Sequence, residues 1–96
     1  VLIPGCGTGY EAKTFSVAGW KVDAIDFSEE AVRRAHESLG TADAGLVRHG
    51  DFFDPNPRGP FDLIYERTFL CSLPTEYWSR YAAQVRQSLR PGGRLA

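Results

Sequence analysis

Gly5, Gly7 and Gly9 occupy alternate positions directly after an apolar run at residues 1–3. Glycine allows positive φ angles and carries no side chain, so the backbone of such a turn can approach a ligand closely. The turn leads into a predicted helix, whose unpaired N–H groups suit a carboxylate or a phosphate. Residues 5–9 therefore predict a ligand-binding turn, although a tight strand-to-helix turn without a ligand could use the same glycines.

Acidic residues follow the next two apolar segments. Asp26 could accept hydrogen bonds from both ribose hydroxyls of an adenosine, or it could help Ser28 to begin a helix. We favour the ribose role because Ser28 is already a good N-cap. Asp51 could accept from the amino group of an adenine while Phe52 packs on the base. The alternative is an Asx turn followed by a phenylalanine of the core.

The charged pair Glu66-Arg67 follows the fourth apolar segment, where it could face a reacting centre. A surface ion pair that contributes little stability is the alternative. Cys71 comes shortly afterwards, and we interpret it as a small buried apolar residue.

Alternating strands and helices must position these residues. Strands are predicted at 1–4, 21–25, 45–49 and 61–65, and a fifth begins at 94–96. Helices are predicted at 9–18, from the Ser28 N-cap to the stop at Gly40, and at 75–89. The proline-rich loop at 54–60 joins the third and fourth strands without a clear helix. Ligands of open α/β sheets bind beyond the carboxyl ends of the strands, so the polar segments should meet at one edge.

Apolar residues at helical spacing predict which face of each longer helix is buried. In the second helix this face contains Val32, Ala35 and Leu39. In the last helix it is predicted to contain Trp78, Ala82, Val85 and Leu89.

Composition limits the classes of function. The chain has 96 residues and a formal net charge of −1, which predicts a single soluble domain without the basic stripe of a nucleic-acid-binding protein. No apolar run has the length of a membrane span, and the two cysteines and two histidines lack the spacing of a metal site. The location, oligomeric state and extent of the domain are further expectations. Reduced thiols are typical of cytoplasmic proteins, so we expect a cytoplasmic protein. We also expect a monomer. Because both ends fall in strand-like segments, we expect residues 1–96 to be part of a larger domain.

Nicotinamide and flavin enzymes also have a glycine turn followed by an acid. Their fingerprint, Gly-x-Gly-x-x-Gly, would require a glycine where this sequence has Tyr10. The spacing disfavours a pyrophosphate-binding turn, and a dinucleotide-binding oxidoreductase remains an alternative.

Four segments together resemble the motifs of class I S-adenosylmethionine-dependent methyltransferases. These are Pro-Gly-Cys-Gly-Thr-Gly at 4–9, Ala-Ile-Asp-Phe-Ser at 24–28, Gly-Asp-Phe-Phe at 50–53 and Leu-Arg-Pro-Gly-Gly-Arg-Leu at 89–95. The resemblance implies a Rossmann-like α/β fold, with an open and mostly parallel sheet of strand order 3-2-1-4-5 and helices on both faces. It also implies S-adenosyl-L-methionine as the cofactor.

A narrower resemblance is to the thiopurine S-methyltransferase family, which includes thiol and halide methyltransferases. It rests on Pro-Gly-Cys-Gly at 4–7, Asp-Phe-Phe at 51–53, and the segments at 61–67 and 69–74. The resemblance implies methyl transfer to a small-molecule acceptor, with a thiol or another soft nucleophile, and it places Glu66 and Arg67 near donor and acceptor. A silent module that only binds the donor is a further alternative. The candidate catalytic residues are Glu66 and Arg67, and the candidate cofactor-binding residues are Gly5, Cys6, Gly7, Gly9, Asp26, Phe27, Asp51 and Phe52.

Overall fold

The computed structural model describes residues 1–55 and 58–96, and within these residues five strands form one parallel sheet. The strands are β1 (Leu2–Pro4), β2 (Asp23–Asp26), β3 (Val47–His49), β4 (Phe61–Ile64) and β5 (Leu89–Leu95). Their order is β3-β2-β1-β4-β5, which confirms the predicted order. Every pair of neighbouring strands is parallel.

The helices are α1 (Tyr10–Val17), α2 (Glu29–Leu39), α3 (Phe69–Ser72) and α4 (Trp78–Ser88), with 3-10 turns at Ala44–Leu46 and Thr75–Tyr77. Ser28 caps α2 as predicted, because its hydroxyl accepts a hydrogen bond from the Ala31 N–H at 3.1 Å. The α2 helix stops at Gly40, whose positive φ of 79° is a conformation that glycine adopts easily. The sequence prediction missed the short α3 helix.

The core is divided between the two faces of the sheet because side chains alternate along each strand. Ile3 and Ala24 point to the face that packs against α1 and α2, whereas Leu2 and Ile25 point to the face that packs against α4. Helices therefore cover both faces, as predicted. No helix in the described part of the chain is long and apolar enough to span a membrane.

The predicted buried face of the last helix is wrong in part. Trp78 is 46% exposed and Ala82 is also exposed, whereas Val85 is buried. The remaining buried side chains of α4 belong to Tyr81, Gln84 and Ser88. Polar groups explain the error, because hydrophobic spacing gives no sign that the hydroxyl of Tyr81 and the amide of Gln84 find hydrogen-bond partners inside the protein.

The fifth strand begins earlier than predicted, at Leu89, which the sequence prediction assigned to the preceding helix. Phe61 lies opposite Leu89 and Leu63 lies opposite Arg94, so the intervening Pro-Gly-Gly segment of β5 forms a bulge within the strand. Gly92 has a φ of 81°, which such a bulge requires.

The connection between β3 and β4 contains no helix within its described residues, and the predicted loop at 54–60 includes Asn56 and Pro57, which lie outside the described residues. Phe52, in this connection, is only 5% exposed and packs on the α4 face of the sheet. The connection therefore covers part of the sheet with an aromatic side chain.

Asp23 and Arg48 join β2 to β3 on the α4 face. Nε and Nη2 of Arg48 donate to the two carboxylate oxygens of Asp23, at 2.8 Å and 3.0 Å, and so form a bidentate pair. The hydrogen bond that Arg48 donates to Asp23 is the main reason that the pKa of Arg48 is raised. This pair accounts for an acidic residue within an otherwise apolar strand.

Candidate functional site

A cavity of about 400 Å³ opens at the carboxyl edge of the sheet, within the size range of about 300–1,000 Å³ that is typical of cofactor sites. The candidate residues that line it are Gly5, Asp26, Phe27, Asp51 and Phe52. They come from the loops after β1, β2 and β3, so the topology brings together segments that are far apart in the sequence.

The glycine turn is built from left-handed glycines, with φ of 63° at Gly5, 55° at Gly7 and 80° at Gly9. A backbone hydrogen bond of 3.1 Å from Cys6 N–H to the Ile25 carbonyl fixes the turn to the end of β2. A Cβ atom on Gly5 would lie 2.8 Å from Cδ1 of Phe69, a separation shorter than Cβ atoms in proteins normally have from other heavy atoms. Only glycine fits there without moving the aromatic wall of the cavity.

The carboxylate of Asp26 links the glycine turn to the beginning of α2. Its Oδ2 accepts from Gly7 N–H at 3.2 Å and its Oδ1 accepts from Ser28 N–H at 2.9 Å. The structure therefore contains the alternative role considered for Asp26, which is to help Ser28 begin the helix. Each carboxylate oxygen has a second lone-pair direction, so these bonds leave acceptor capacity for hydroxyl groups in the cavity.

Asp51 and the phenylalanines around it form another side of the cavity. Oδ1 of Asp51 accepts from Phe53 N–H at 2.9 Å, which is an Asx turn, and Phe52 is a core residue whose ring also faces the cavity. Phe27 is 73% exposed, and its ring centroid lies 6.2 Å from that of His49. An exposed ring beside a cavity is available to pack on a planar ligand.

The two thiols differ in their surroundings. Cys6 is 6% exposed and its side chain packs in the core on the α1 and α2 face, so its backbone, rather than its sulfur, belongs to the glycine turn. Burial, and then the charge of Asp26, raises the pKa of Cys6 to about 12. The interpretation of Cys71 as a buried residue is wrong: it is exposed in α3, where its thiol donates to the Thr68 carbonyl at 3.2 Å.

Glu66 and Arg67 point to different neighbours. Glu66 accepts from Phe69 N–H at 3.0 Å and from the Tyr81 hydroxyl at 3.3 Å. The guanidinium of Arg67 is exposed and lies 3.4 Å from Glu11 of α1. Both stand at the carboxyl edge, but they do not act as one ion pair.

Some lining residues were not predicted from the sequence: Phe69, Leu73, Tyr77 and Arg80. The guanidinium of Arg80 lies 4.9 Å from the centroid of the Phe53 ring and 5.2 Å from that of Tyr77. Tyr77 directly precedes α4 and Arg80 lies in its first turn, and this spacing of three residues could have suggested that they share a face. The elements after β4 had not been expected to border the cavity.

The arrangement combines the backbone of a glycine turn, two carboxylates and several aromatic rings. Such a site can bind a molecule that has a charged end, hydroxyl groups and a planar ring. Among the described residues, no cluster of three His, Cys, Asp or Glu side chains could hold a metal ion.

The family model for thiopurine S-methyltransferase matches residues 1–96. The chain belongs to the thiopurine S-methyltransferase family. This confirms the resemblance found in the motifs of the sequence.

Curated relatives of this thiopurine S-methyltransferase family member include a probable thiol methyltransferase 2 from Arabidopsis thaliana, 34% identical over 97 residues. That match covers 98% of this chain and 43% of the relative. A thiopurine S-methyltransferase from Vibrio cholerae is 32% identical over 110 residues, a match that covers 99% of this chain and 50% of the relative. The chain thus spans about half the length, or less, of these relatives.

The solved structure of a DhpI–SAH complex has a similar fold. Its TM-score is 0.79 at 28% sequence identity, and the match covers 98% of this chain and 45% of that chain. The Rossmann-like methyltransferase fold is therefore shared by a protein solved with SAH bound.

Proposed function

We propose that the full-length protein transfers a methyl group from S-adenosyl-L-methionine to a small-molecule acceptor with a thiol or another soft nucleophile. The observation that carries this proposal is the convergence of the glycine turn, Asp26 and the aromatic cavity in a member of this family. The relatives named as thiol, thiocyanate and thiopurine methyltransferases support a sulfur-containing acceptor. Residues 1–96 would form part of the donor-binding domain.

The residues of the cavity fit the parts of the donor. The backbone of Gly5, Gly7 and Gly9, with that of Cys6, would hold its amino-acid end, because the three glycines have no side chains and let a ligand approach the turn closely. Asp26 would accept from the ribose hydroxyls. The adenine would be held by Asp51, which can accept from the amino group, and by the rings of Phe27 and Phe52.

When bound, S-adenosylmethionine supplies a methyl group that its sulfonium already activates. The task of the protein is to position acceptor and donor, which can lower the activation free energy by on the order of 7–11 kcal/mol. Arg67 would orient the acceptor, because its exposed guanidinium stands at the carboxyl edge beside α1. Glu66 would shape the same edge. A soft acceptor needs no strong general base, so we assign none.

The proposal also covers the kind of partner, the oligomeric state and the location of the protein. The net charge of −1, with mixed signs along the chain, favours a small-molecule partner over nucleic acid or a membrane surface. We propose a monomer in the cytoplasm, where Cys6 and the exposed Cys71 would stay reduced.

The test is thermal unfolding of the full-length protein with S-adenosylhomocysteine and, separately, with NAD. A ligand at about 100 times its Kd stabilises the native state by roughly 2.7 kcal/mol, which shifts the unfolding midpoint. We expect a shift with S-adenosylhomocysteine alone. A shift with NAD alone would overturn the proposal in favour of a dinucleotide site.

A second measurement separates an enzyme from a silent donor-binding module. The full-length protein is incubated with S-adenosylmethionine and a panel of thiols and halides, and formation of S-adenosylhomocysteine is followed. We expect turnover with at least one soft acceptor. Donor binding without any turnover over the panel would favour the silent module.

A further inference from the structure

Tyr81 is a buried tyrosine that stands behind the cavity. It is 5% exposed and lies on α4, and its ring contacts aromatic residues that line the cavity. The ring centroid of Phe52 is 5.5 Å away and that of Phe69 is 6.3 Å away. One side chain of α4 therefore supports a ring from the β3–β4 connection and a ring from α3.

The hydroxyl of Tyr81 extends this support to the loop after β4. It donates to Oε1 of Glu66 at 3.3 Å, while Oε2 of the same carboxylate accepts from Phe69 N–H at 3.0 Å. Glu66 thus connects the middle of α4 to the first residue of α3. Burial, and then Glu66, raises the pKa of Tyr81 to about 12, so the hydroxyl keeps its proton and remains a donor at neutral pH.

Phe69 carries the connection to the glycine turn. A Cβ on Gly5 would lie 2.8 Å from its Cδ1 atom, so the ring rests directly on the backbone of the turn. A small shift of Phe69 would change both the wall of the cavity and its contact with Gly5. Because cavities bind best when their walls are held in place before the ligand arrives, the group that fixes Phe69 affects affinity.

We propose that Tyr81 is a positioning residue for the methyl donor, which acts through Glu66 and the rings of Phe52 and Phe69 on the cavity wall that faces Gly5. The inference rests on the proposed function. It gives Glu66 a role in donor binding through Phe69, in place of contact with the acceptor.

The test uses Tyr81→Phe in the full-length protein, because this change removes the hydroxyl and keeps the ring. Tyr65→Phe is the matched control: Tyr65 is half-buried, directly precedes Glu66 and packs against Phe15 on the opposite face of the sheet. Calorimetry with S-adenosylhomocysteine should show a Kd raised about threefold to tenfold in Tyr81→Phe, as expected for one lost hydrogen bond. Tyr65→Phe should bind within twofold of the unaltered protein.

A double-mutant cycle with Glu66→Gln tests the connection itself. If Tyr81 acts through Glu66, the double variant should bind S-adenosylhomocysteine about as weakly as the weaker single variant. In steady-state assays of Tyr81→Phe, the KM for the donor should rise while the KM for the acceptor stays unchanged. A merely structural role would lower the unfolding temperature without this difference between the two KM values.

The outcomes separate this inference from the proposed function. An unchanged donor Kd in Tyr81→Phe, or fully additive effects in the cycle, would overturn the positioning role alone. If the unaltered protein does not bind S-adenosylhomocysteine, the proposed function falls and the positioning role falls with it.

Discussion

At the scale of single residues, Asp26 combines two demands on one carboxylate. It holds the glycine turn through Gly7 N–H and the beginning of α2 through Ser28 N–H, and the same residue lines the cavity. The same charge that would bind ribose hydroxyls therefore also shapes the turn that would bind the other end of the donor. Loss of this charge should weaken both contacts together.

We predict that Asp26→Asn raises the Kd for S-adenosylhomocysteine about 10-fold to 100-fold. A hydrogen bond to a charged group contributes about 1.5–3 kcal/mol, and each 1.4 kcal/mol is about tenfold in Kd. Calorimetry on the full-length protein measures the change. Asp62→Asn is the matched control, because this carboxylate of β4 is exposed and pairs with Arg90 at 2.8 Å. Equal affinities of Asp26→Asn and the unaltered protein would refute the ribose role.

Gly5 is required for two different reasons, which can be separated by comparison with Gly40. Both have positive φ, 63° and 79°, so an alanine is strained at either position. Only at Gly5 would the new Cβ meet Phe69, whereas nothing lies within 4 Å at Gly40. We predict that both alanine variants lose thermal stability, and that only Gly5→Ala weakens S-adenosylhomocysteine binding by about tenfold or more, because only there does the new Cβ displace the cavity wall. Equal donor affinity in the two variants would contradict this assignment.

At the scale of elements, α4 carries polar side chains into the core. Gln84 donates to the Asp54 carbonyl at 2.8 Å and Tyr81 donates to Glu66. Ser88, at the end of the helix, is 1% exposed, and its hydroxyl has no hydrogen-bond partner among the described residues. A buried hydroxyl without a partner lowers stability, so this helix offers a site where a simpler side chain should be better.

We predict that Ser88→Ala stabilises the full-length protein by about 1 kcal/mol more than Ser79→Ala does. Alanine has a higher helix propensity than serine. The same substitution at the exposed Ser79 of α4 is therefore the control for this difference in helix propensity. Removal of an unsatisfied buried hydroxyl adds about 1–3 kcal/mol in favour of the folded state at Ser88 only. Urea unfolding with comparable m-values measures both changes. A destabilised Ser88→Ala variant would indicate that the hydroxyl has a partner in the complete protein.

The elements also explain what sequence patterns could and could not predict. The strand order and the convergence of the glycine turn, Asp26 and Asp51 at one edge follow from alternation of elements and from family motifs, because loops after parallel strands meet at the same edge. The inward face of α4 was not predictable from hydrophobic spacing. Tyr81 and Gln84 are buried because their hydrogen-bond partners lie on other elements, and such pairing is a tertiary property.

The separation of Glu66 from Arg67 has the same origin. Adjacent residues beyond a strand end were expected to act as a pair, but Glu66 is fixed by α3 and α4 while Arg67 reaches Glu11 on α1. Which neighbour each side chain meets depends on how the helices pack on the two faces of the sheet. The roles of both in catalysis stay predictions.

At the scale of the whole molecule, the sheet separates two buried acidic groups whose pKa values are raised, the Cys6 thiol and the Tyr81 hydroxyl. Cys6 belongs to the core on the α1 and α2 face, and Tyr81 belongs to the core on the α4 face. Burial is the first cause of both pKa shifts, from 9.0 to about 12 for Cys6 and from 10.0 to about 12 for Tyr81. Both groups are acids that the fold keeps neutral, so both shifts act on stability in the same direction.

We predict that these two groups make the protein less stable as the pH rises above about 9. Between the ordinary and the folded pKa values, the unfolded chain loses the proton that the native state retains, so the unfolded state binds fewer protons and the free energy of unfolding falls with pH. The contribution of Cys6 begins near pH 9 and that of Tyr81 near pH 10, and both continue towards pH 12. Urea unfolding of the full-length protein between pH 7 and pH 11 should show this decline, and it should be shallower in Cys6→Ala and in Tyr81→Phe. A slope identical in all these variants would mean that neither buried group limits stability at alkaline pH.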